Sequence, residues 1–148
     1  EIQTDRLRIV ALDLENLYHY VHDYECVQVN LGVEVTMPVQ DPEIKYVFSR
    51  AHYEASSHPE DILWYTSWEV ILKTENVIIG GVCFKGPPDD DDEVEIGYEI
   101  VPDYQNKGYA TEASEALIKW AKENMHIKSV IACVEPDNLP SVKVLRRL

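Results

Sequence analysis

The stretch EVEIGYEIVPDYQNKGYATEA, residues 93–113, decides how the rest of the chain is read. Residues 93–101 alternate, which makes a strand with Glu93, Glu95, Gly97 and Glu99 on one face and Val94, Ile96 and Tyr98 on the other. Pro102 ends that strand, and residues 105–110 (QNKGYA) form a polar turn that opens into a helix. The first turn of a helix carries N–H groups without intrahelical acceptors and the positive end of the helix dipole, so it can seat a phosphate or diphosphate. Gly108 lets the backbone approach a ligand closely, Ala110 keeps the next position small, and Lys107 adds a positive charge. The turn is neither a P-loop nor a three-glycine dinucleotide fingerprint. A plain connection between two elements would look similar.

Downstream, residues 111–124 read as the most regular helix, with Ala113, Leu117, Trp120, Ala121 and Asn124 on one stripe. Residues 128–134 form another strand, 135–138 (EPDN) a loop, and 140–148 a final helix with Pro140 in its first turn. Upstream, residues 62–73 and 77–85 pair as a hairpin across the turn at 74–76, and Gly80-Gly81 marks a bulge or a close backbone approach. The loop at 86–92 (GPPDDDD) lacks the alternating ligands of a calcium loop and reads as a solvated tip. Residues 4–10 give a first strand, and Asp13 caps a helix bearing Leu17, Tyr20, Val21 and Tyr24. Residues 27–39 read as irregular or extended, 42–56 as a helix with Ile44, Val47, Phe48 and Ala51 on one stripe, and 57–61 as a loop. The order β-α-α-β-β-β-α-β-α predicts an α/β (α+β) domain with a mixed sheet.

At 148 residues, 45% of them hydrophobic, the chain is expected to form a single domain with one core, residues 1–148. The N-terminal residues lack an apolar signal core, and a cytoplasmic, reducing setting is expected. Cys83 and Cys133 lie in strand-like runs and read as buried thiols, and the five His residues are scattered, so no metal is expected. A net charge of −14 argues against a nucleic-acid binder and suits a cationic or amine substrate, although acidity also serves solubility. No Ser or Cys sits in a G-x-S-x-G setting, which removes a phosphate-binding hydrolase.

The hexapeptide Gln105-Asn106-Lys107-Gly108-Tyr109-Ala110 resembles the Q/R-x-x-G-x-G/A pyrophosphate loop of the GNAT acyl-CoA-dependent N-acetyltransferases. The surrounding EIGYEIVPDYQNKGYATEA is similar to the Rim-type branch, which acetylates the N-termini of ribosomal proteins. The likeness extends through Thr4-Asp5-Arg6-Leu7, Ile79-Gly80-Gly81 and Glu135-Pro136-Asp137-Asn138-Leu139-Pro140-Ser141, in order over nearly the whole chain. It implies the GNAT fold, a mixed central sheet flanked by helices. Relatives continue past NLPSVKVLRRL with a further strand pair, so that C-terminal strand pair is expected to be missing here.

The resemblance also implies a mechanism. Acetyl-CoA would bind where strands 93–101 and 128–134 splay apart, its pantetheine on the main chain of Ile100 and Val101. Its pyrophosphate would lie on the N–H groups of Gln105, Asn106, Lys107, Gly108, Tyr109, Ala110 and Thr111, and Asn138 would hydrogen-bond the pantetheine or the substrate. The Val101 N–H would polarise the thioester carbonyl, the amine would attack directly in a ternary complex, and the CoA thiolate would leave. A base must deprotonate the amine. Glu95, in the EIGY position, is the first candidate and Glu99 the second, sharing a face on which each can raise the other's pKa; a merely polar sheet face is the plain alternative. The general acid departs from the pattern: the position of the usual Tyr is Leu145, which leaves Ser141 as the nearby hydroxyl. The expected partners are acetyl-CoA and an amine acceptor (a protein N-terminus, an amino acid or a small amine), without nucleic acid or membrane and with a homodimer left open. A non-catalytic acyl-CoA-binding or sensing module is the rival from another class.

Overall fold

The computed structural model describes residues 1–36 and 42–131. A six-stranded mixed sheet runs β1 (Ile2–Gln3), β2 (Leu7–Ala11), β3 (Ser67–Leu72), β4 (Val77–Phe84), β5 (Glu93–Ile100) and β6 (Ser129–Ile131), in that spatial order. Every pair is antiparallel except β5–β6, which is parallel and is joined through α5 (Tyr109–Asn124). A parallel neighbour needs a long crossover, and the helix after the QNKGYA turn supplies it.

One face of the sheet carries Leu7, Ile9, Val70, Leu72, Val82, Val94 and Ile96, and α5 seals it with Ala113, Leu117 and Ala121. Small residues on the helix let it lie close to the strands. The other face is roofed by α1 (Leu14–His22), α2 (Tyr24–Leu31), α3 (Pro42–Ser57) and α4 (Ile62–Tyr65), whose own cluster centres on Leu12, Leu17, Val27 and Ala55. Asp13 caps α1 through the Asn16 N–H at 2.9 Å, as its sequence position predicts.

Two expectations are corrected. Residues 27–31 are helical, not irregular: Asp23 caps α2 through the Cys26 N–H, and Gly32, at φ 71°, closes the helix. Val27 is fully buried against α1, and that packing outweighs the low helix propensity of a β-branched pair. Residues 62–65 form one helical turn that seats Trp64 before β3 begins. The strand at 128–134 is described as far as Ile131; Cys133 and the final helix expected at 140–148 lie outside the described residues.

The β3–β4 register shifts between Val70 and Ile71, which is the bulge that Gly80-Gly81 suggested. At Gly80 a Cβ would fall 2.0 Å from the Glu99 carbonyl oxygen, so only glycine lets β4 approach β5 there. Beyond the bulge, Glu69 on β3, Gly81 on β4 and Glu99 on β5 are register partners in one row, on the face turned to α1 and α3.

Candidate active site

The turn between β5 and α5 is built as an anion seat. Asn106 and Gly108 both have left-handed backbone, at φ 63° and 85°, and Gly108 stands at the N-cap without a side-chain cap bond. The first bond of the α5 ladder runs from the Glu112 N–H to the Gly108 carbonyl, 3.0 Å. The N–H groups of Tyr109, Ala110 and Thr111 therefore lie ahead of the ladder and point out of the helix end. The Gln105 N–H is given to Pro102 O (3.2 Å) and its side-chain amide to Ile100 O (2.8 Å), so Gln105 braces the turn instead of offering its N–H to a ligand.

A second cation reaches this seat from the far end of the chain. The Arg6 guanidinium binds Glu112 (2.7 Å) and the Lys107 carbonyl (3.0 Å), lies 4.4 Å over the Tyr109 ring, and passes within 3.3 Å of where a Gly108 side chain would begin. Burial pushes the Glu112 carboxyl up, but hydrogen bonds from Thr4 and Arg6 outweigh it and hold its pKa below the ordinary value. Sequence reading had credited only Lys107 with positive charge here; Arg6 stands 101 positions earlier, and only the fold brings it to the loop. The seat fits a diphosphate through Asn106, Lys107, Gly108, Tyr109, Ala110 and Thr111, with Arg6 behind them.

The Val101 N–H does not fit the role expected of it. It donates to the Ile79 carbonyl at 2.9 Å, inside the β4–β5 ladder, and is not open to polarise a thioester oxygen. The Ile100 carbonyl is likewise taken by Gln105. Asn138 and Ser141 lie outside the described residues.

Next to the seat, beginning at Val101 and Pro102, a cavity of about 730 Å³ opens between the sheet and the helices. Its floor holds Glu69, Gly81, Cys83, Gly97 and Glu99, and its roof holds Tyr20, Phe48 and Tyr65. Glycines at Gly81 and Gly97 keep the floor low, since a side chain at either would meet Ser67 or Lys85 at 3.0 Å. Tyr20 and Phe48 stack with centroids 3.5 Å apart, giving the roof an aromatic plate.

Of the two expected bases, Glu99 lines this cavity, and Glu95 stands outside its lining in an ion pair with Lys85 at 3.4 Å. A third carboxyl went unnoticed in the sequence. Glu69 is 1% exposed, accepts a hydrogen bond from Ser67 (3.0 Å), and burial pushes its pKa up to about 8. The signal available was a single acid inside the apolar run WEVIL, where a strand gives it no route to water. Burial also raises the Tyr20 and Tyr24 phenols, with the Glu69 charge adding to both. Among the described residues no group of three or more His, Cys, Asp or Glu side chains could hold a metal ion, and no helix is long and apolar enough to cross a membrane.

The acetyltransferase (GNAT) domain family matches residues 6–148. An uncharacterized N-acetyltransferase of Bacillus subtilis (strain 168), YjdG, is 29% identical over 155 residues, spanning 99% of this chain and 87% of the relative. The ribosomal-protein-S5-alanine acetyltransferase of Vibrio fischeri superposes with a TM-score of 0.62 at 22% identity, covering 99% of this chain and 80% of that one. The Microcin C7 self-immunity acetyltransferase MccE, solved in complex with acetyl-CoA and AMP, superposes with a TM-score of 0.64 at 17% identity, covering 97% and 78%. The mixed sheet, the Q-x-x-G-x-A turn at the start of α5 and the family match agree, and the chain belongs to the GNAT acetyltransferases.

Proposed function

We propose that the chain, as a single acetyltransferase domain, transfers an acetyl group from acetyl-CoA directly to a primary amine held in the 730 Å³ cavity. One observation carries this reading: the anion seat and a carboxylate-bearing cavity adjoin at Val101 and Pro102, so cosubstrate and acceptor can meet there. Acetyl-CoA supplies the acetyl thioester. The N–H groups at the start of α5, with Lys107 and Arg6, hold its diphosphate, while the closed β5 ladder keeps the strand end in place. In the cavity, the carboxylate of Glu99 takes the proton that the attacking amine must lose, beneath the aromatic roof of Tyr20 and Phe48. Glu95 is the reserve base, reached only if its bond to Lys85 opens. Asn138 and Ser141 keep the roles that the family pattern assigns, the first to the pantetheine or the substrate, the second to the leaving thiolate.

The acceptor class is open among a protein N-terminus, an amino acid and a small amine; the fold shared with the ribosomal-protein-S5-alanine acetyltransferase of Vibrio fischeri favours the first. The test is a panel of peptide, amino-acid and alkyl amines incubated with acetyl-CoA and read by free-thiol release. Amine-dependent release is expected from the wild type. Glu99→Gln should lower it by about 100-fold while leaving the Kd for CoA within about twofold. Equal loss in CoA affinity and transfer would show that Glu99 supports the cosubstrate site and is not the base.

A further inference from the structure

Glu69 has no task in the transfer just described, yet it occupies the most costly position in the cavity. A carboxylate buried without a counter-charge costs several kcal/mol, and such a group is kept only where something offsets it. Among the described residues the one stabilising contact acting on it is the Ser67 hydroxyl. The groups facing it from the surrounding elements are Cys83 on β4, Tyr20 on α1 and Tyr24 on α2, none of them cationic. Glu99 borders the same space from β5.

The two cations in the cavity wall are already matched. Arg50 pairs with Glu54 at 2.9 Å and Lys85 with Glu95 at 3.4 Å. Glu69 is nevertheless one of the residues that line the cavity. A Cβ at Gly81 would crowd Ser67 Oγ at 3.0 Å and lie 3.5 Å from Glu69 Oε1. Glycine at position 81 therefore leaves no side chain between these two oxygens and the cavity that Ser67, Glu69 and Gly81 all line. Around that point the lining is apolar or aromatic, with Tyr20, Phe48, Ile44 and Val47.

We propose that Glu69 is a specificity-determining residue of this cavity, receiving the cationic nitrogen of an acceptor that is a primary ammonium group on an apolar body. The proposal rests on the reading of the cavity as the acceptor site. It explains why an acid is tolerated in the β3 core: the ligand brings the missing charge. A neutral alcohol of the same shape leaves the carboxyl protonated and gains nothing from it.

The test uses the full chain with carbon-13-labelled glutamate, titrated between about pH 5 and pH 10 alone, with n-butylamine, and with n-butanol. Glu69→Gln identifies the Glu69 signal and keeps the side-chain shape; if it does not fold, through-bond connectivity assigns the signal and the wild-type titration decides alone. The expected result is a Glu69 midpoint lowered by about one pH unit or more with n-butylamine and unmoved by n-butanol. In Glu69→Gln the Kd for n-butylamine should rise by about tenfold, with CoA binding unchanged. A midpoint that n-butylamine leaves in place, or that n-butanol moves equally, overturns the proposal. Thiol release measured in parallel separates the two readings. A shift without acetyl transfer supports the ammonium site and removes the acceptor reaction, and transfer without a shift does the reverse.

Discussion

Where β5 ends and α5 begins, the chain gathers main-chain N–H groups and cations; across β3, β4 and β5, facing the helices, it gathers carboxyl groups. The first region is made of main-chain N–H groups with Arg6 and Lys107. The second is a row of carboxyl side chains, Glu69 and Glu99, divided by Gly81. The two adjoin at Val101 and Pro102. In a protein of net charge −14 the general field repels an anionic cosubstrate, so the positive end has to be local and short-ranged. The difference between the regions is one of construction: a turn supplies the N–H groups and Lys107 from neighbouring residues, with Arg6 alone brought in by the fold, and a sheet register makes the carboxyl row from residues far apart in sequence.

The largest expected effect breaks both regions at once. Gly80→Ala puts a Cβ 2.0 Å from the Glu99 carbonyl, against backbone that cannot swing aside. It should part β4 from β5 and cost about 3 kcal/mol or more, seen as a lowered denaturation midpoint together with loss of CoA binding.

A second experiment isolates the negative region through pH. The Glu69 pKa is raised in the fold to about 8 from an ordinary 4.5, so the native state holds that proton more tightly than the unfolded chain does. Its contribution is fully present below about pH 4.5 and is lost as pH rises through about 8. Wild-type stability, measured by urea denaturation, should therefore fall by up to about 5 kcal/mol over that window, and Glu69→Gln should remove most of the fall. A parallel fall in the variant would locate the sensitivity elsewhere.

The smallest effect sharpens the positive region alone. Gly108→Val forces a β-branched residue to φ 85° beside Arg6, with a cost of about 1–2 kcal/mol. CoA affinity should drop by about tenfold in calorimetry, while n-butylamine binding to the cavity stays as in the wild type. Loss of both would deny that the regions are separable.

The same contrast governs what could be read from the chain. The QNKGYA turn was legible because its chemistry is contiguous: a strand, a proline stop, a glycine and a helix stripe follow one another. The alternation that sets Glu95 and Glu99 on one face, the Gly80-Gly81 bulge and the Asp13 cap were legible for the same reason. The row Glu69–Gly81–Glu99 was not, because it depends on a register across three strands. That register is shifted by a bulge whose offset no local pattern states. Glu95 stood ahead of Glu99 on its EIGY position, and the alternation that puts both on one face does not say which of them lines the cavity. Residues 27–31 misled because Val27 and Val29 have strand propensity, while Asp23, Gly32 and burial of Val27 hold them in a helix.

The most direct test of the account is thiol release from acetyl-CoA by the wild-type protein as n-butylamine is raised, with n-butanol at matched concentration as the control. The account predicts release that rises with n-butylamine and saturates, and no increase with n-butanol. Release that ignores the amine, or that the alcohol stimulates equally, would contradict it.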